Sequence, residues 1–223
     1  MRSEIGNGPV SIYTAKSGVG WTGLKAFRFG GSLTATGHDF GYNRVFDVDI
    51  PVTASTELSY KIFPEFSGAD QARQSTYAAV DLQFDDGTYL RDLGAIDQHG
   101  YTLSARAQGE SKSLYVQQWN AISSTIGAVA SGKTIKRILV DYDNPNGVSG
   151  QAFQAWIDDL KIVANPPSQA RDHLADWVET RRGTNANGSF SRGNNIPATA
   201  VPHGFNFWIP ETRANSTLSL IHI

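Results

Sequence analysis

The stretch GAVASGKT, residues 127–134, meets every fixed position of the phosphate-binding pattern G-x-x-x-x-G-K-[ST]. In that chemistry glycines let backbone N–H groups wrap a phosphate, Lys133 would reach the outer phosphates, and Thr134 would hold magnesium. The chemistry needs a helix after the loop. The next residues are instead IKRILVDYDNPNG, a β-branched apolar run closed by the turn signal Asn144-Pro145-Asn146-Gly147, and this reads as a strand. Ile138-Leu139-Val140-Asp141 imitates a strand ending in a magnesium-binding Asp. It begins four residues after Thr134, too close for the crossover helix of about a dozen residues that a βαβ unit needs. The segment is therefore expected to be a glycine-containing loop feeding a strand, with Lys133 in solvent and no nucleotide as partner.

Two pairs of adjacent carboxylates, Asp85-Asp86 and Asp158-Asp159, are the first candidates for acid–base work. Neighbours on a strand point to opposite faces, so neither pair can share a substrate. Both read as turn or edge residues, oxygen ligation of a structural calcium being the other use of such side chains. The five histidines, His38, His99, His173, His203 and His222, show no close metal-ligand spacing, and no G-x-S-x-G elbow appears. Sugar binding is the better alternative for the residues present. Pyranose faces stack on aromatic rings while polar neighbours bond the hydroxyls, the usual form of a site with apolar walls and a few polar groups. Trp21, Tyr101 and Trp119 adjoin loop-like sequence and are the candidate carbohydrate-binding residues, burial in a core being the competing use of large rings. Trp156 and Trp177 read as core and helix-packing residues.

The chain around these residues has 223 residues, 40% hydrophobic and 11% aromatic, enough for packed cores. No apolar run approaches the roughly 20 residues of a membrane helix, and the opening MRSEIGNGPVSIY lacks the apolar segment of a signal peptide. With 19 basic and 21 acidic residues, net charge −2 and no long like-charge block, nothing supports nucleic acid as a partner. The absence of cysteine excludes disulfides, thiolate metal sites and cysteine nucleophiles.

From residue 25 to 163 the hydrophobic period is close to two. Leu58, Tyr60 and Ile62 alternate in TELSYKIF. Val80, Leu82 and Phe84 alternate in YAAVDLQFDDGTYL, where Asp86-Gly87 is a hairpin signal. KAFRFGG, NRVFDVDI, KSLYVQQW, TIKRILVDYD and FQAWIDDLKIV complete the set. Seven or more short strands with almost no helical pattern predict an all-β fold, an antiparallel jelly-roll β-sandwich spanning 1–164.

The texture changes at Asn165. Consecutive prolines in NPPS mark a linker. Ser168 then caps an expected amphipathic helix carrying Ala170, Leu174, Trp177 and Val178, ended by Arg181, Arg182 and Gly183. Linker and helix occupy 165–183. Residues 184–217, rich in Gly, Asn and Pro, read as the truncated start of a second, β-rich domain. The tail LSLIHI, 218–223, back-translates to a string resembling the transposase end used in sequencing libraries, and is read as an adaptor artefact.

Arg181 to Arg213, RRGTNANGSFSRGNNIPATAVPHGFNFWIPETR, resembles the opening of glycoside hydrolase family 92, the calcium-dependent exo-acting α-mannosidases. That opening runs approximately G-T-x-x-x-G-x-x-x-P-G-A-x-x-P-F-G-M. Gly183-Thr184, Pro197, Val201-Pro202 and Gly204 fit it with a longer loop around Gly188 and Gly193; Ala198-Thr199, His203 and Phe205 depart from it. TELSYKIFPE, VDLQFDDGTYLRDLGAIDQHG, SLYVQQWN and AWIDDLKI are similar to the galactose-binding-like module that precedes the catalytic region in some members. The resemblance implies a secreted or periplasmic enzyme that trims terminal α-mannose from glycans with inversion. A carboxylic acid and a carboxylate base would stand about 6.5–9.5 Å apart, and calcium would bind sugar hydroxyls as a hard cation. Those carboxylates are expected downstream, so the fragment is expected to lack catalytic residues, with a non-catalytic carbohydrate-binding module as the alternative reading. Asn187, Asn194 and His203 would line the sugar pocket of the full enzyme, or hold an irregular loop by local hydrogen bonds.

Overall fold

Alternation along each strand sorts side chains onto two faces, and two sheets pair their apolar faces. The computed structural model describes residues 1–12, 17–66, 73–167 and His173. The chain divides into two units, Met1–Pro167 and Ser168–Ile223, and the described elements belong to the first. The expected helix at 168–183 and the segment 184–223 lie outside the described residues.

Strands β1 (Arg2–Gly6), β2 (Ala26–Ser32), β8 (Ala152–Val163), β4 (Glu57–Glu65) and β6 (Asn120–Ser124) form one sheet in the order β1-β2-β8-β4-β6. Strands β3 (Gly37–Pro51), β7 (Thr134–Gly147) and β5 (Ala78–Phe84) form the other, in the order β3-β7-β5. Every pairing is antiparallel. The expected all-β antiparallel sandwich is thus what the described residues of Met1–Pro167 form.

Leu58, Tyr60 and Ile62 of β4 face Val80, Leu82 and Phe84 of β5 and Ile138, Val140 and Tyr142 of β7 across one core. Each fully buried aliphatic or aromatic side chain there contributes roughly 1.5–3 kcal/mol. Tyr142 stacks on Phe153 with ring centroids 3.5 Å apart and planes 6° from parallel, tying the two sheets together. The opposite face of the five-stranded sheet carries a second, smaller cluster of Ala26, Phe63 and Trp156. Trp156 is buried, as its sequence suggests, but in this outer cluster.

Three details depart from the sequence expectations. KSLYVQQW is not a strand: Gln117 is left-handed at φ 59° and its N–H bonds the Pro64 carbonyl at 2.8 Å, so the extended run begins only at Asn120. Asn144-Pro145-Asn146-Gly147 is not a turn but the last four residues of β7. The strand runs through it across an irregularity opposite Gly37 and Asp39 that absorbs the proline's missing donor, and the chain reverses later, at Gly150 with φ 86°. At Asp86-Gly87 the turn forms, with Gly87 at φ 83°. No second strand comes after it, because a single bridge, Gln83 to Tyr89, leads into a 3₁₀ turn at Leu90–Asp92.

The glycine-lysine motif becomes one turn of helix, α2 (Gly127–Ala130; α1 is Ala105–Ser111), and β7 starts at Thr134. A Cβ at Gly127 would stand 2.2 Å from the Thr53 carbonyl oxygen, so close backbone packing is what requires that glycine. Lys133, expected in solvent, instead pairs its ammonium with Asp86.

Candidate functional site

Chemistry-bearing side chains converge on the outward face of the three-stranded sheet. Register places Tyr42 opposite Asp141, Phe40 opposite Asp143, and Leu139 opposite both Arg44 and Asp81. Directly opposed residues share a face, so these side chains stand away from the main core. The turn at Asp86-Gly87 brings Arg91 back over them. Arg91 Nη1 donates to Asp81 Oδ2 at 2.6 Å and to Asp141 Oδ2 at 2.7 Å, and Arg91 N donates to Asp81 Oδ1 at 3.0 Å. The guanidinium carbon lies 4.0 Å from the ring centre of Tyr89, 5.2 Å from Phe40 and 5.9 Å from Tyr42. One cation thus holds two strand carboxylates and three rings.

Both carboxylates are buried, Asp141 to 1% exposure. Burial first, and then the neighbouring Asp81 charge, push the Asp141 carboxyl up to about 8 against the pull of Arg91. Burial also pushes Asp81 up, Arg91 again opposing. Two buried anions beside one cation leave an excess negative charge, and holding a proton on one of them removes it. Asp141 Oδ1 is buried with no hydrogen-bond partner among the described residues.

Phe40 and Tyr42 cover this cluster yet remain 42% and 49% exposed, with ring centroids 6.0 Å apart and planes tilted by 50°. Polar groups border them. His38 Nε2 lies 2.7 Å from Asp143 Oδ1 at one end. At the other, Asp47 takes Arg44 at 3.6 Å and Arg137 at 3.5 Å, and Arg137 Nη1 donates to Gln83 Oε1 at 3.0 Å. The arrangement is an open apolar platform with hydrogen-bonding groups at its rim. Sequence reasoning missed it, although Phe40 and Tyr42 stand two apart in a strand and Asp81 and Asp141 are single carboxylates inside the apolar runs VDL and VDY.

The aromatic candidates from sequence lie elsewhere. Trp21 is 46% exposed, with Lys61 Nζ 5.1 Å from its ring centre. Trp119 is half-buried, its ring 5.5 Å from that of Phe63 in an edge-on contact. Lys61 and Phe63 alternate along β4, so Trp21 and Trp119 share the outward face of the five-stranded sheet. Tyr101 stands apart from both, on a loop where Asp97 Oδ1 accepts from His99 N and Tyr101 N at 2.8 and 3.0 Å. Gln98 ties that loop to β6 through the Ala121 carbonyl at 2.6 Å and the Ser123 N–H at 2.8 Å. Asn187, Asn194, His203 and Trp177 lie outside the described residues.

The paired carboxylates are engaged locally. Asp85 Oδ1 accepts from Thr134 N at 3.2 Å, and Asp86 accepts from Thr88 and pairs with Lys133. Asp158 Oδ2 accepts from Thr22 N at 3.0 Å, and Asp159, left-handed at φ 49° in a bulge, pairs with Lys161 at 2.7 Å. Each of the four carboxylates thus has at least one donor or cation as a local partner. Among the described residues no three or more His, Asp or Glu converge as a metal site, and no helix is long and apolar enough to cross a membrane. A groove of about 990 Å³ between Arg2, Glu4, Arg28, Gly31, Asn43 and Gln154 presents charge, Arg28 and Glu4 pairing at 3.3 Å, but no exposed ring.

No protein-family model matches the chain, and no curated protein matches it. Among solved structures it is similar to the glycoside hydrolase domain of Endo-D from Streptococcus pneumoniae R6, at 15% identity and TM-score 0.41 over 74% of this chain and 20% of that one. It is also similar to a protein crystallised with a xylogluco-oligosaccharide, at 13% identity and TM-score 0.41 over 73% of this chain and 35% of that one. A third, a CD-domain fragment spanning residues 230–489 of its parent, matches at 13% identity and TM-score 0.36 over 65% of this chain and 55% of that one. The chain spans less than two thirds of each of these structures.

Proposed function

We propose that residues 1–167 are a carbohydrate-binding module serving a glycoside hydrolase. The observation that carries the binding reading is the exposed Phe40–Tyr42 pair, seated on β3 and backed by an Arg91 cluster that fixes the rings before any ligand arrives. Rings held in place lose little conformational freedom on binding, which favours sugar faces that offer weak contacts one at a time. Trp21, Tyr101 and Trp119 supply further exposed or half-exposed rings on the other sheet and its loop.

The hydrolase reading rests on the resemblance of Arg181–Arg213 to family 92. On it the parent is a secreted or periplasmic, calcium-dependent, inverting α-mannosidase acting on terminal mannose, with Asn187, Asn194 and His203 near the sugar. This chain would then bind glycan without cleaving it.

The test is titration of neutral oligosaccharides, mannan-derived ones first, into the full chain. Replacing Phe40 and Tyr42 together by Ala is expected to weaken binding at least tenfold, about 1.4 kcal/mol, while W21A/W119A reports on the other sheet. Binding unchanged by both double substitutions, or no saturation by any glycan, neutral or acidic, at millimolar concentration, overturns the proposal.

A further inference from the structure

The Arg91 cluster bears on which glycans the platform accepts. An arginine under two exposed rings invites an acidic sugar, because a guanidinium matches a carboxylate in charge and in fork geometry. Here one end of the fork is already taken. Nη1 is shared between Asp81 and Asp141 at 2.6 and 2.7 Å, and the backbone N–H of Arg91 also goes to Asp81. The side chain of Arg91 is 20% exposed and those of the two aspartates 3% and 1%, so the carboxylates are sealed and Arg91 is largely covered by Phe40, Tyr42 and Tyr89. At the rim each cation also has a carboxylate neighbour, Asp143 facing His38 at 2.7 Å and Asp47 facing both Arg44 and Arg137 at 3.6 and 3.5 Å, two guanidiniums there sharing one carboxylate.

We infer that the Phe40–Tyr42 platform is a binding site for uncharged hexopyranose glycans and discriminates against uronate-bearing ones, the Asp81–Arg91–Asp141 cluster cancelling the positive charge that would recruit a carboxylate. The inference rests on the carbohydrate-binding reading above and adds the ligand class. At this cluster an incoming uronate would meet the buried Asp81 charge behind the rings and would find the Nη1 donor engaged, so it would lose hydration with little gained in return. An uncharged pyranose asks only for the ring faces and for hydroxyl contacts at the rim. The cluster also serves neutral ligands by fixing the rings through Arg91.

The experiment compares matched neutral and acidic oligosaccharides, manno-oligosaccharides against oligogalacturonates and oligomannuronates, titrated into the full chain at pH 7 and low salt. Neutral chains are expected to bind at least tenfold tighter, with F40A and Y42A each weakening them. In D81N/D141N the guanidinium loses the carboxylate charge that offsets it, and affinity for the oligouronates is expected to rise at least several-fold and to fall again with added salt. Circular dichroism confirms that the double variant is folded. If it is not, the wild-type comparison decides alone. Equal or tighter binding of oligouronates by the wild-type chain overturns the inference while leaving the carbohydrate-binding reading intact. Binding of neither class overturns that reading instead.

Discussion

At the scale of single residues, Asp141 controls a pH dependence whose sign can be worked out. Its carboxyl sits at about 8 in the folded protein against an ordinary value of 3.8, through burial first and then the Asp81 charge. Between roughly pH 4 and 8 the folded chain therefore keeps a proton that the unfolded chain has lost, and the stability this confers is full below that window and drains away as pH rises through it. Burial pushes Asp81 and Glu65 in the same direction. Asp86 moves the other way, held down by its Lys133 and Thr88 partners, and acts only in acid. Melting temperatures of the wild type are expected to fall from pH 5 to pH 9, and D141N, which keeps the shape without the titration, to flatten part of that slope. Parallel slopes for the two proteins would refute the assignment. A lone Asp flanked by apolar residues is visible in VDL and VDY as an anomaly. Its partner is not, because Arg91 lies 10 residues from one carboxylate and 50 from the other, in a segment that reads as a hairpin arm.

At the scale of elements, period-two alternation reveals those strands that bury one face and expose the other. Leu58, Tyr60, Ile62, Val80, Leu82 and Phe84 are all in the main core, where the alternation puts them. Strand β1 shows no such signal because it is an edge strand with almost no buried residue to pattern. Helix α1 is equally silent, because seven residues capped by Ser104, whose hydroxyl accepts the Ala107 N–H at 3.3 Å, make too short a periodic stretch. GAVASGKT teaches the converse lesson: its first glycine answers to the 53–54 loop. The Cβ introduced by Gly127→Ala would meet the Thr53 and Ala54 carbonyl oxygens at 2.2 and 2.4 Å, both of them backbone atoms that cannot swing aside. That substitution is expected to cost about 1–3 kcal/mol, read by urea denaturation. A G127A protein as stable as the wild type would mean the two loops are not packed this closely.

For the whole molecule, what closes the sandwich is a stretch with little regular structure. Between the end of β5 and the start of β6 the chain lays Leu90, Ala95, Leu103 and Leu114 into the main core. The stretch is braced by Gln108 Nε2, which donates to Asp97 Oδ2 at 2.9 Å, both side chains being buried. No periodicity announces such a segment, since its apolar residues are spaced by the path of the chain and not by a strand or helix repeat. If it is part of the core and not a loop lying upon it, removing one of its side chains must destabilise both sheets together. Leu103, 1% exposed, is the sharpest probe because its own N–H bonds the Ala95 carbonyl at 2.7 Å and anchors the crossing. Leu103→Ala is expected to cost about 2–5 kcal/mol. The loss should appear equally in far-ultraviolet dichroism, which reports the strands, and in tryptophan fluorescence, to which Trp156 and Trp119 on the far side of the five-stranded sheet contribute. Coincident transitions displaced by that amount would show one cooperative body whose third wall is irregular chain. A fluorescence transition left in place while the dichroism moves would instead mean that the outer cluster of Ala26, Phe63 and Trp156 melts on its own.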